Sequence, residues 1–266
     1  MKESGLLDYE AYLFDLDGVL WKGMEPVPGT SEVVNRLKNS GKSVRFVTNN
    51  AGTSRGSQHA KLRSMGFDAQ LGEVITSGYA TAQYLKRKFE SLSIFVMGTD
   101  ELAGEMIDAG HKIVGITDDI KAADCVVVGY DPEFNYQKLD LAFQILQRKG
   151  TTFVATNENP TIPKEDGLHP GVGPSLRALA YCSAREPDLV VGKPHAPMME
   201  ITLESIKINP NRCLMTGDMI DLDLVWAERF GIKTLFVLSG VHSRDDLVRL
   251  KFAPDHILGS VAELYS

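Results

Sequence analysis

The chain has 266 residues, 43% of them hydrophobic and 24% charged, which is enough apolar length to bury one large core or two of ordinary size. Its formal net charge of −7 leaves no basic footprint, so nucleic acid is excluded as the main partner. The first residues lack the apolar h-region of a signal peptide, and no apolar run approaches the roughly 18 residues of a spanning helix. The expectation is therefore a cytoplasmic protein that does not engage the membrane. Cys125, Cys182 and Cys213 are far apart, odd in number and outside any metal-ligand spacing, and are expected to be small buried hydrophobes in a reducing compartment.

In chain order, "AYLFD" is predicted as a strand and "SEVVNRLKNSG" as a helix with Ser31 at its N-cap and Gly41 at its stop. "SVRFVTNN" is the next strand, followed by the helix "SRGSQHAKLRSMGF", the strand "EVITSG" and the helix "YATAQYLKRKF". A block of β-rich segments comes next: "SIFVMG", "HKIVGI", "ADCVVVGY" and "TTFVATN", with the helix "YQKLDLAFQILQRKG" before the last. The first style then returns with "DLVVGK", "CLMTGD" and "KTLFVLSG", separated by helices. Strands alternating with helices imply a parallel sheet covered on both faces. The prediction is an α/β protein with a Rossmann-like core over 1–79 and 187–266, interrupted by a second α/β domain inserted over about 80–186.

The strands predicted for the core share polar C-terminal ends, where an open parallel sheet binds its ligands. The first ends in Asp15-Leu16-Asp17-Gly18 and the second in Thr48-Asn49-Asn50. Later ones end in Gly192-Lys193-Pro194 and Gly217-Asp218, with Asp221 and Asp223 behind. Two carboxylates one residue apart at the end of a buried run repel each other, and neither is cheap to bury alone. Their cost makes sense if each has a separate task and a cation offsets the charge.

Four motifs in this order resemble the haloacid dehalogenase superfamily, specifically its Mg²⁺-dependent phosphatases with a type 2 cap. "DLDGVLW" is similar to that family's first motif, "VTNN" to its second, "VGKP" to its lysine motif and "GDMIDLD" to its acidic motif. The combination is similar to the branch of p-nitrophenylphosphatases, phosphoglycolate phosphatases and pyridoxal phosphate phosphatases. The resemblance implies hydrolysis of small phosphorylated metabolites, and it implies a homodimer formed through the cap. The cap segment "TNENPTIPKEDGLHPGVG" looks like the family's substrate loop region. It carries Ile162 where a vitamin-phosphatase subgroup has a histidine, which argues against pyridoxal phosphate and points to a less polar or looser pocket. Leu222 departs from the usual threonine of the acidic motif.

The residues fit that chemistry on their own terms. Asp15 is the candidate nucleophile, able to form an aspartyl-phosphate that water hydrolyses. Asp17 is placed to protonate the leaving oxygen and then to activate water. Only hard oxygen ligands are on offer, with no clustered His or Cys, so Mg²⁺ is the expected ion. Asp15 and Asp218 are its expected ligands, with the backbone carbonyl of Asp17 added by the resemblance. Thr48, the N–H groups of Asn49 and Asn50, Lys193 and the tight turn at Gly18 are expected to serve the phosphoryl oxygens. Asp221 and Asp223 are expected to orient Lys193 or the metal waters, and Asp221 could equally favour the first turn of a helix. Trp21 is either a lid anchor or core. His169 and His195 are expected to be loop residues. "HPGVGPSL" has Leu176 where the third glycine of a dinucleotide loop belongs, which excludes that reading. The competing functions are a phosphotransferase or phosphomutase, and a phosphometabolite-binding regulatory protein with residual turnover.

Overall fold

The computed structural model describes residues 5–164 and 166–266. The chain divides into two compact units. The first contains the described residues through Thr48 together with Gly56–Ile75 and Thr202–Ser266. The second contains Asn49–Arg55 and Thr76–Ile201, so the segment 80–186 falls inside it.

The first unit is built on a six-stranded sheet. From one edge its strands are His256–Leu258, Lys233–Val237, Cys213–Gly217, Ala11–Phe14, Ser43–Thr48 and Val74–Thr76. The first five run parallel to their neighbours. Numbered along the chain, this order is 6-5-4-1-2-3, the doubly wound arrangement whose switch point lies between the first and fourth strands. All four residues of Ala11–Phe14 are fully buried, as expected for a central parallel strand covered on both faces. Tyr12 and Phe14 share one face and stack at 6.4 Å between centroids, in a cluster with Trp21, Leu37, Phe46 and Leu62. Each such side chain stabilises the fold by about 1.5–3 kcal/mol relative to exposure.

The second unit holds a five-stranded parallel sheet in the order Leu189–Val190, Thr152–Ala155, Cys125–Val128, Ser93–Met97, Lys112–Ile113. Its core gathers Phe95, Met97, Val126, Phe153 and Leu176. An antiparallel hairpin of Thr161–Lys164 with Gly167–Pro170 sets Ile162 opposite His169.

Three local expectations are corrected. Leu189–Val190, read as the first of the returning core strands, pairs with Val154 and Ala155 in the second sheet. A two-residue apolar strand carries no pattern that says which sheet it extends; Asp188 decides it by accepting the Phe153 N–H at 2.8 Å. The first helix spans Thr30–Asn39 and is capped by Gly29 rather than Ser31. The Ser31 hydroxyl donates to Glu32, while Thr30 turns back to the Val27 carbonyl at 2.7 Å. Finally, Cys125 and Cys213 are buried but Cys182 is exposed. It lies on the outer face of the helix Gly173–Ser183, beside exposed Tyr181, while Leu179, Ala180 and Ser183 face inward. Burial pushes the Cys125 thiol up to about 12 and the Cys213 thiol up to about 11. Among the described residues, no helix is long and apolar enough to cross a membrane.

Candidate active site

Asp15, Asp218 and Asp223 gather at the switch point of the six-stranded sheet. Asp15 follows the first strand directly, its N–H donating to Thr216 on the fourth strand at 3.0 Å. Asp218 follows that fourth strand directly. Each offers a carboxylate oxygen that lies within 4.8 Å of the other and of one from Asp223, and all three residues are buried.

Asp218 is held from two sides. Its Oδ2 accepts the Val241 N–H at 2.7 Å, and its backbone carbonyl accepts from His242 at 3.3 Å. Glycine is required around it: a Cβ at Gly18, where φ is +84°, would overlap the Asp218 carboxylate and stand 3.1 Å from the Gly240 backbone. The Ser239 hydroxyl donates to the Gly18 carbonyl at 2.7 Å and closes this side of the crevice. The loop Ser239–His242 was not singled out in the sequence. Its signal was a small polar pair straight after the apolar "KTLFVL", the same strand-end grammar that marked the other motifs.

Asp223 and Asp221 part company. Ile220–Leu224 forms a π-helical turn that continues into the short helix Val225–Glu228. Ile220, Asp223, Leu224 and Ala227 share the inward face, and Asp221 is exposed on the other. Asp223, expected behind the metal ligands, thus offers an oxygen alongside Asp15 and Asp218, while its Oδ2 accepts the Met219 N–H at 3.1 Å.

Asp17 sits half-buried at the start of a small loop. Gly18 N–H reaches the Trp21 carbonyl at 2.7 Å, and Trp21, fully buried, donates its indole N–H to Asp17 Oδ1 at 2.8 Å. Trp21 is therefore a core residue that also donates to Asp17. Lys61 lies over the indole, 4.3 Å from its centroid. Burial holds its ammonium below the ordinary lysine range, with the Asp17 charge acting the other way.

Thr48 is buried at the end of its strand in the first unit. The remaining predicted residues lie in the second unit. There Lys193 is buried, and the Asn49 side chain clamps its backbone: Oδ1 accepts the Lys193 N–H at 2.8 Å and Nδ2 donates to the Lys193 carbonyl at 2.9 Å. Asn49 also donates to Asn159 Oδ1, and its own carbonyl accepts from Ser77 and Asn157. The sequence reading gave Asn49 only a backbone role; the positioning of Lys193 by its side chain was missed. Asn50 is exposed and its side chain caps Gly52 N–H. Ile162 is half-buried on its hairpin, and His169 is a strand residue bonded to Asp166 rather than a loop residue. His195 meets Glu158 at 3.0 Å, and Glu158 also pairs with Arg177.

A sheet ordered 3-2-1-4-5-6 with buried carboxylates on both sides of its switch point defines a doubly wound α/β protein of the kind that binds its ligands in the crevice at those strand ends. The family described as haloacid dehalogenase-like hydrolase matches residues 12–112, and a second description of the same hydrolases matches 190–264. Human glycerol-3-phosphate phosphatase is 33% identical over 295 residues, covering 97% of this chain and 91% of the relative. Phosphoglycolate phosphatase 2 of Arabidopsis thaliana is 33% identical over 277 residues, covering 96% and 92%. The solved p-nitrophenyl phosphatase from Archaeoglobus fulgidus superposes with a TM-score of 0.90 at 33% identity, covering 97% of this chain and 98% of that one. The chain belongs to the haloacid dehalogenase-like hydrolases, and within them it is a phosphoric monoester hydrolase.

Proposed function

We propose that this enzyme hydrolyses small phosphate monoesters through an aspartyl-phosphate on Asp15. The observation that carries the reading is the placement of Asp15 at the switch point, with Asp218 and Asp223 beside it and half-buried Asp17 two residues on. Asp15 attacks phosphorus, the ester P–O bond breaks, and Asp17 gives its proton to the departing oxygen. Water then attacks the phosphoryl group, Asp17 takes the proton back, and phosphate leaves Asp15 free.

Three buried carboxylates with oxygens this close would repel one another without a cation, and a donor set of oxygens alone suits a hard divalent ion. The residues present therefore fit Mg²⁺. Asp15, Asp218 and Asp223 would hold it, with the Asp17 carbonyl added by the family resemblance. When bound, the ion supplies charge neutralisation for the phosphoryl group. Lys193 is proposed to balance the remaining phosphoryl charge, and Thr48, Gly18 and the amides of Asn49 and Asn50 to orient its oxygens.

The relatives named for glycerol 3-phosphate, phosphoglycolate and p-nitrophenyl phosphate support substrates of that size. Ile162 is proposed to meet the part of the substrate beyond the phosphate. Three free cysteines suit a cytoplasmic setting, and a homodimer through the second unit is carried over from the resemblance. A phosphate-release screen over these esters, sugar phosphates, nucleotides and pyridoxal phosphate, with Mg²⁺ and with chelator, tests the reading. Release without any acceptor that depends on Mg²⁺ and vanishes in Asp15→Asn is expected. Undiminished release in chelator, or transfer only to an added acceptor, refutes it.

A further inference from the structure

Asp17 has two oxygens and, on the reading above, one proton to deliver. The structure shows what holds the carboxyl. The loop Leu16–Trp21 is closed on itself: Val19, Leu20 and Trp21 N–H groups all donate to the Leu16 carbonyl, and Gly18 N–H donates to the Trp21 carbonyl. Trp21 is then fixed again by the hairpin Trp21–Lys22 with Glu25–Pro26. Its side chain is completely buried in the core cluster that also holds Phe14, Leu20 and Leu62. A buried indole N–H needs an acceptor, and any backbone carbonyl would satisfy it. Here it takes Asp17 Oδ1 at 2.8 Å.

Lys61 adds a second restraint. From the helix Arg55–Ser64 it donates to the Gly23 carbonyl at 2.9 Å, which pins the tip of the same hairpin, and its ammonium lies 4.3 Å above the indole centroid. A cation on the ring face binds the ring in place and makes the indole N–H a stronger donor. Lys61, Trp21 and Asp17 thus form one stacked and hydrogen-bonded series within the first unit.

We propose that Trp21 is a positioning residue for the reaction: its indole N–H occupies Asp17 Oδ1, locks the carboxyl rotamer, and leaves Oδ2 to carry the proton to the leaving oxygen. The inference rests on Asp17 acting as the acid. A hydrogen bond to a charged group held in this way has a worth that corresponds to roughly 10- to 100-fold in rate. That loss falls on substrates whose leaving oxygen needs the proton, and it spares those whose leaving group departs as a stable anion.

The test replaces the N–H and keeps the shape. Trp21 is substituted by its isostere 3-benzothienylalanine, in which sulfur stands for the N–H, and separately as Trp21→Phe. Phenyl phosphate and p-nitrophenyl phosphate are compared, two esters of nearly one shape whose leaving groups differ in basicity. For the isostere, kcat/KM with phenyl phosphate is expected to fall by roughly 10-fold or more, and with p-nitrophenyl phosphate several-fold less. The inhibition constant of inorganic phosphate should stay within about two-fold, because positioning a proton leaves phosphate binding alone. In an Asp17→Asn background the substitution should cost nothing further, since Trp21 acts through Asp17. Equal losses on both esters, or a full additional loss in the Asp17→Asn background, overturn the proposal. If Asp17→Asn itself shows no preference between the two esters, the acid assignment of Asp17 is what fails. If it does and the isostere does not, only the role of Trp21 fails. Should Trp21→Phe not fold, the isostere carries the test alone.

Discussion

Replacing Gly18 by alanine asks how tightly the backbone is packed against the buried carboxylate. At φ +84° an L-residue pays about 1–2 kcal/mol for the left-handed conformation. The new Cβ would overlap the Asp218 carboxylate and press on the Gly240 backbone at 3.1 Å, so a buried, hydrogen-bonded side chain has to move. Overpacking of that kind costs about 1–3 kcal/mol. Reduced freedom of the unfolded chain returns about 0.4–1 kcal/mol. The net expectation is a loss of about 1–5 kcal/mol, a large share of the stability of a typical domain. Gly41 supplies the control: its φ is +83° and a Cβ there would meet nothing within 4 Å. Gly41→Ala pays only the backbone cost, and the difference between the two variants isolates the contact with Asp218. Urea denaturation measures both, and phosphate release at saturating Mg²⁺ measures activity. Gly18→Ala should also lose turnover by more than about 10-fold, because displacing Asp218 disturbs a preorganised charge, whereas Gly41→Ala should keep it. If the two variants proved equally stable and equally active, the close approach of Gly18 to Asp218 would be wrong.

Three further outcomes are expected. Lys193→Met keeps the apolar stem, removes the charge and should slow turnover by about 10²–10³-fold in steady-state assays; near-normal rates would leave Lys193 no part in the chemistry. Asn49→Ala leaves the Lys193 backbone groups without their side-chain partner, so denaturation should show a loss of about 1–3 kcal/mol; a change below about 0.5 kcal/mol would mean the clamp is incidental. Ile162→His should reorder the substrate ranking by about 1–3 kcal/mol, with pyridoxal phosphate gaining over p-nitrophenyl phosphate; a proportional change on both would make Ile162 a packing residue.

Much of the candidate site's placement in the fold was legible from local rules. An apolar run wholly buried in the sheet, followed at once by Asp15 and Asp17, is legible because burying like charges is costly wherever it occurs. The strand ends at Thr48 and Asp218 follow from the same alternation of strand and helix. What tertiary structure decided is the identity of partner atoms. Asp221 and Asp223 are equivalent acids in the sequence, and only the turn Ile220–Leu224 sends one inward and the other to solvent. Asn49 and Lys193 are 144 positions apart, and no periodicity announces that an amide side chain will clamp that backbone. Leu189–Val190 joined the second sheet because Asp188 met Phe153, a meeting that its two apolar residues could not encode. Trp21 shows the division most clearly: its sequence left it either a lid anchor or core, and its full burial and the acceptor its N–H takes both depended on the loop that brings Asp17 back beside it. Burial preference is a property of each residue and its near neighbours, whereas a hydrogen-bond partner is chosen only once distant segments have packed.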